Sequence, residues 1–249
     1  MTEELKVKEK DVVVPGEVLA TGMGYLPSKG TYREGDNIVA ARLGMMHVDR
    51  KVIKIIPVSG RYQLRVGDVI IAKVIDVLMS GWRLETNTAY SAMVSMRDAT
   101  SEYIAKGADL RKYFDVEDYV VAKVTNVTTQ MLIDLTMRGP GLRKLKGGRI
   151  IEVNSHKVPR IIGKHGSMIS MVKNATDCKI IVGQNGLVWV DGEPDKEKIA
   201  VETIKKIEDE SHISGLTDKI KLHLEKVTGK KIELNDKDDH KSNDKGEQR

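Results

Sequence analysis

The chain has 249 residues, 40% hydrophobic and 31% charged, with 41 Lys and Arg against 36 Asp and Glu for a net charge of +5. No run approaches the ~18 consecutive apolar residues of a membrane helix, and Met1 to Lys10 alternates charges with no apolar core for a secretory leader, so a cytoplasmic protein is expected. One cysteine, Cys178, excludes disulfides within the chain and any multi-cysteine zinc site.

Residues 1–61 carry short apolar runs cut by glycine and proline. Val12-Val13-Val14 precedes Pro15-Gly16, Ile38-Val39-Ala40-Ala41 follows, and Lys51-Val52-Ile53-Lys54-Ile55-Ile56 is closed by Pro57. Such runs are strands, and a small β domain is expected. Its glycines serve turns rather than a phosphate loop, because no helix follows them.

Residues 62–138 form a longer meander. Val69 to Val77 follows Gly67-Asp68, Trp82 to Glu85 follows Gly81, and Tyr90 to Val94 follows a polar break. After a less regular stretch, Ala99 to Phe114, come Tyr119 to Val124 and Met131 to Leu135. About five strands with an insertion after the third fit an OB-type barrel. Through Val66-Gly67-Asp68-Val69-Ile70-Ile71-Ala72-Lys73-Val74, and its echo from Val116 to Val124, the segment resembles the S1 RNA-binding domain.

A linker, Arg138-Gly139-Pro140-Gly141, leads into residues 139–228, which alternate β-α-α-β-β-α. Arg149 to Val153 reads as a strand, Val158 to Ile162 as one helical turn, and Ser167 to Ala175 as a helix with Met168, Met171, Val172 and Ala175 on one face. Lys179 to Val182 and Leu187 to Val190 read as a hairpin across Gly183-Gln184-Asn185-Gly186. Pro194 opens a helix with Ile199, Thr203, Ile204 and Ile207 on one face, and a last helix carries the stripe Leu216, Ile220, Leu224 and Val227. From Gly229 to Arg249 apolar residues almost vanish, and that tail is expected to be disordered. The predicted architecture is a β-rich, multidomain α+β protein.

Charge is concentrated. It is +2 over residues 1–61, −1 over 62–138, +7 over 139–189 and −3 over 190–249. The positive excess in one short segment is the footprint of a polyanion binder. Within it stands Ile161-Ile162-Gly163-Lys164-His165-Gly166-Ser167-Met168-Ile169. A G-x-x-G pair alone is weak; with glycine near its usual frequency roughly two are expected by chance, and the second, Gly183/Gly186, reads as a hairpin turn. The first lies between helical segments and carries a lysine. Two glycines let the chain approach a phosphate backbone, and the helix N-terminus that follows favours the anion. Inside a β-α-α-β-β-α unit this stretch looks like a KH domain, whose G-x-x-G loop clamps nucleotides.

Candidate RNA contacts are Gly163, Lys164, His165 and Gly166 in the loop, and Arg143, Lys144, Lys146, Arg149, Lys157 and Arg160 around it. The barrel adds Trp82, Arg83, Lys123 and Arg138. Trp82 opens the second barrel strand, where S1 domains present an aromatic to stack a base, although a core tryptophan is nearly as good a reading. Trp189, between Val188 and Val190, leans towards packing. His165 has no Cys, Ser or acidic pair beside it and reads as a loop contact. With 4% aromatic residues, phosphate contact should dominate and make binding steeply salt-dependent. An aspartate at Gly163 or Gly166 is expected to weaken RNA capture with the fold intact.

Walker, zincin, hydrolase-elbow and dinucleotide signatures are absent, and the densest acidic group, Asp236, Asp238 and Asp239, lies in the tail. No cofactor, metal or catalytic residue is expected. In domain order the chain resembles the RNA-binding cap subunit of the archaeal exosome, the one with S1 and KH domains, over residues 10–227. Val14-Pro15-Gly16-Glu17-Val18-Leu19 with Gly30-Thr31-Tyr32, and the junction from Ile56 to Tyr62, carry the N-terminal part of the likeness. The sibling cap subunit has a zinc ribbon in place of KH, which one cysteine excludes. The resemblance implies a trimeric cap on a hexameric ring of RNase PH-type subunits, alone or mixed with that sibling. N-terminal domains would grip the ring, S1 domains surround its pore and KH domains recruit RNA, favouring poly(A), for 3′-5′ phosphorolysis. Two alternatives are a free-standing S1/KH transcription or translation factor and a ribonuclease in its own right.

Overall fold

A computed structural model describes residues 4–58, 60–105, 107–213 and 215–229. Apart from Gly229, the tail expected to be disordered lies outside the described residues. The chain divides into two compact units, residues 1–61 and 62–249.

The first unit is all β. One sheet has the order β1 (Glu4–Leu5), β3 (Val18–Thr21), β6 (Asn37–Ala40), β5 (Thr31–Glu34). The other runs β2 (Val12–Val13), β7 (Gly44–Asp49), β8 (Val52–Pro57), β4 (Leu26–Pro27). Strand alternation sends Val13, Met46, Ile53 and Ile55 into a core with Leu19, Ala20 and Ile38. On the outer face Val12 pairs with Met45 and Met45 with Ile56. Val14, Leu43 and Val58 lie two residues further along the same three chains, just beyond the strand ends. Five of the six are exposed: Val12, Val14, Leu43, Ile56 and Val58. Farther along that face His47 and Lys54 replace the apolar residues.

The second unit begins with a closed five-stranded barrel in the order β10 (Gly81–Glu85), β11 (Ala92–Ser95), β13 (Ile133–Thr136), β12 (Tyr119–Val127), β9 (Val69–Leu78). A short helix, α1 (Met96–Ala99), follows β11. Alternate residues Ile70, Ala72, Val74, Val120, Ala122 and Val124 fill the barrel. The echoed Val-x-Asp sequence is the same turn used twice. Gly67 and Glu117 both have left-handed backbones, φ +97° and +77°. Gly67 donates its N–H to Val124 O and Glu117 donates to Val74 O, each to the partner strand. Asp68 accepts from Arg65 N–H and Asp118 from Asp115 N–H. Burial and the hydrogen bond it donates to Asp68 push the Tyr62 phenol up to about 12. The motif that carries the S1 likeness is therefore a structural turn that starts two paired strands.

Beyond the barrel, β14 (Arg149–Glu152), α2 (Val158–Ile162), α3 (Ser167–Thr176), β15 (Lys179–Val182), β16 (Leu187–Asp191), α4 (Pro194–Asp209) and α5 (Leu216–Thr228) complete the predicted alternation. The antiparallel sheet has the order β14-β16-β15, leaving β15 as an edge. One face, with Ile180, Val188 and Val190, packs on Val158, Ile161, Val172, Ile204 and Ile220 of the helices. Of the predicted final stripe, Leu216, Ile220 and Leu224 are buried but Val227, in the last turn of the helix, is exposed. The other sheet face, with Ile150, Ile181, Leu187 and Trp189, packs on Ile71, Val121 and Leu145. The three-stranded sheet is thus sandwiched between its own helices and the barrel.

Candidate nucleic-acid interface

Asn154 accepts the His156 N–H and starts the turn that leads into α2, which has proline in its first turn. Five residues later α2 ends at Gly163, whose N–H donates to Pro159 O at 3.0 Å. The two loop glycines are not equivalent. Gly163 has φ +76° and ψ 176°, and a Cβ there would lie 2.7 Å from Met168 Cβ and 2.8 Å from Met168 N. Gly166 has φ +81° and ψ 9°, with nothing within 4 Å of an added Cβ. Between them Lys164 and His165 are exposed. The expectation that aspartate is tolerated at either glycine is therefore corrected at Gly163, where close approach of α3 leaves no room for any side chain.

Beside the loop runs a cleft of about 660 Å³. Ile162, Ile169 and Lys173 form one wall, β15 the floor, and Leu142, Val69 and Val121 the opposite wall. The floor presents peptide groups. Gly183 N–H donates to Leu187 O at 2.8 Å, and the register then pairs Val182 with Val188, Ile181 with Trp189 and Ile180 with Val190. Because bonded and non-bonded pairs alternate in an antiparallel ladder, Ile180 and Val182 turn their N–H and C=O away from β16, along the free edge. Cys178 also borders the cleft. Burial pushes its thiol pKa up, keeping it a small apolar neighbour rather than a reactive group.

A KH domain family model matches residues 148–196, and a model described as the exosome complex exonuclease RRP4 N-terminal region matches residues 12–49. The exosome complex component Rrp4 of Pyrococcus furiosus is 43% identical over 222 residues, 88% of this chain and 84% of the relative. That of Methanothermobacter thermautotrophicus is 40% identical over 231 residues, 92% of this chain and 73% of its own. The chain belongs to the Rrp4 family. A crystal structure assigned to an exosome complex RNA-binding protein superposes with a TM-score of 0.61 at 34% identity, covering 67% of this chain and 97% of that one.

This Rrp4-family chain does not gather all its predicted contacts in one place. Arg160, Lys164 and His165 are exposed at the loop, and Lys157 is half-buried at the start of α2. Arg149 and Lys146 are exposed, but they belong to β14 and its approach, on the sheet edge opposite the cleft. Lys144 is paired with Asp118. The Arg143 guanidinium sits 5.9 Å from the centre of the Trp189 ring. Trp189 is buried and donates its indole N–H to Gly147 O at 2.8 Å, so it packs.

Trp82 is a correction. It is 1% exposed, donates its indole N–H to Phe114 O at 2.9 Å and meets the Phe114 ring edge-on at 5.1 Å. Satisfied on both counts inside the barrel, it cannot stack a base. Of that strand Arg83 and Glu85 are exposed, and Arg83 lies opposite Met93 on one side and Asp76 on the other. Arg138 donates its Nε–H to Thr100 O at 2.8 Å, and Lys123 is exposed on β12. Sequence reasoning missed Lys173 and the apolar walls Ile162, Ile169 and Leu142. Ile169 and Lys173, four apart on α3, were a legible shared face; the free edge of β15 was not, since it depends on strand order.

Proposed function

We propose that this chain is the non-catalytic RNA-binding subunit of an archaeal, cytoplasmic exosome, capping a hexameric ring of RNase PH-type subunits as a trimer, alone or mixed with the zinc-ribbon sibling, and delivering RNA 3′ ends to it. The observation that supports the reading is the cleft, which runs beside the glycine loop and has apolar walls that suit a base and, along its floor, the peptide groups of an edge strand that no other described strand pairs. A residue that offers N–H and C=O side by side matches the Watson–Crick edge of adenine, an acceptor N1 beside an amino donor. That supports a preference for poly(A) where aromatic side chains supply no reader. Holding RNA near a catalytic ring raises its effective concentration there, and three copies multiply the gain.

The apolar outer face of the first unit suits the grip on the ring, since contiguous exposed apolar patches mark interaction sites. The native mass of the assembly that co-purifies with the chain tests the reading. A trimer of this chain on a phosphorolytic ring is expected. A lone chain, or a polymerase or ribosome partner, would favour the free-standing factor, and RNA cleavage by the purified chain, lost with one carboxylate, would make it a ribonuclease. Ile56→Asp should weaken docking about tenfold, as losing a central apolar contact does, and leave RNA binding by the purified chain unchanged.

A further inference from the structure

Resting on the reading of the cleft as an RNA site, we propose that the barrel and the linker supply its second wall, so that Leu142 is a specificity-determining contact and the RNA strand passes directly from the KH unit onto the barrel at Lys123. The helices of the KH unit provide only Ile162, Ile169 and Lys173. Across from them stand Leu142, which directly follows the linker, and Val69 and Val121 of the barrel. This wall is fixed: Val121 N–H donates to Arg143 O at 2.8 Å and Leu145 N–H to Tyr119 O at 2.8 Å, stitching the linker to β12. The turn after β15 cannot fold over a base instead. Its Gln184 N–H donates to Val69 O at 2.9 Å, and its Asn185 side chain is buried against the barrel. A base entering beside β15 therefore has Ile169 on one side and Leu142 on the other.

The direction of exit follows from register. Lys123 pairs directly with Val69, and Val121 with Ile71, so Lys123 lies on the same barrel face as Val121, one row beyond the cleft wall. Val69 and Lys123 are both exposed. A phosphate following the bound base meets that ammonium. Lys173, at the cleft, and Lys164, in the loop, meet the phosphates on the other side.

Photo-crosslinking of the full chain to an oligo(A) bearing one 8-azidoadenosine decides the matter. Crosslinks to 142–143 or to Val69 and Val121, together with α3, are expected; crosslinks confined to the loop, α2 and α3 would overturn the proposal. Leu142→Gln should reduce the preference for oligo(A) over oligo(U) about fivefold with the salt slope unchanged. Lys123→Gln, a surface change that spares folding, should lower the slope by roughly one phosphate contact. If Gly166→Asp weakens binding while both these variants bind as the parent does, the second wall fails and the cleft reading stands. If Gly166→Asp binds as the parent does, the cleft reading itself fails.

Discussion

Gly166→Asp is expected to lower affinity for single-stranded RNA about thirtyfold, ~2 kcal/mol, at low salt and to leave the melting temperature nearly unchanged. An added Cβ meets nothing within 4 Å, and φ +81° with ψ 9° is a left-handed backbone that Asp and Asn adopt more readily than other side chains. The new carboxylate stands at the start of the ten-residue α3, where free N–H groups favour an anion. It competes for the seat the phosphate would take and repels the phosphate as well. Two features separate this from simple damage. The deficit should shrink as salt rises, since salt screens the repulsion, and Gly166→Asn should bind within about threefold of the parent because it adds the bulk without the charge. An Asn variant as weak as the Asp one would show that space, not charge, governs the loop. Gly163→Ala should instead destabilise by about 2–3 kcal/mol, since its Cβ would press on the Met168 backbone and its φ and ψ lie in a region open essentially to glycine.

The order of elements was legible because each carries its own periodicity. Ser167 to Ala175 shows helical spacing, and the β15–β16 hairpin shows two apolar runs across a glycine turn. What the sequence hid depends on contacts between distant segments. Trp82 reads equally well as a stacking platform or a core residue, and only the position of Phe114, 32 residues on, decides it. The basic run from Arg143 to Arg149 looks like one patch, yet the chain crosses from barrel to sheet edge within it. It thereby sends Lys144 to Asp118 and leaves Lys146 and Arg149 away from the cleft. Gly183 and Gly186 were read as turn glycines, and they are. Why the turn needs both is a matter of approach: a Cβ on Gly183 would lie 2.8 Å from Ile71 N, and one on Gly186 would lie 2.4 Å from Val153 O.

That turn holds the second large effect. Asn185→Leu should cost about 3 kcal/mol and lower the melting temperature of the barrel–KH unit by roughly 6–12 °C. The Asn185 amide is 1% exposed and donates to Ile71 O and Thr86 O, both at 2.7 Å. Leucine fills a similar volume but leaves two barrel carbonyls buried without donors, each costing about 1–3 kcal/mol. Tryptophan fluorescence reports this unit specifically, because Trp82 and Trp189, the two tryptophans of the chain, both lie within it. Trp189 sits in the apolar layer between sheet and barrel. The same substitution should also weaken RNA binding several-fold although Asn185 lies away from the loop, because the turn holds the floor of the cleft against its barrel wall. An unchanged melting curve would mean that the apolar layer of Ile71, Val121, Leu145 and Trp189 joins barrel and sheet without the amide. Lower stability with full RNA affinity would mean instead that the cleft keeps its shape when the peg is gone, and that its two walls are held apart by the linker's own bonds to β12.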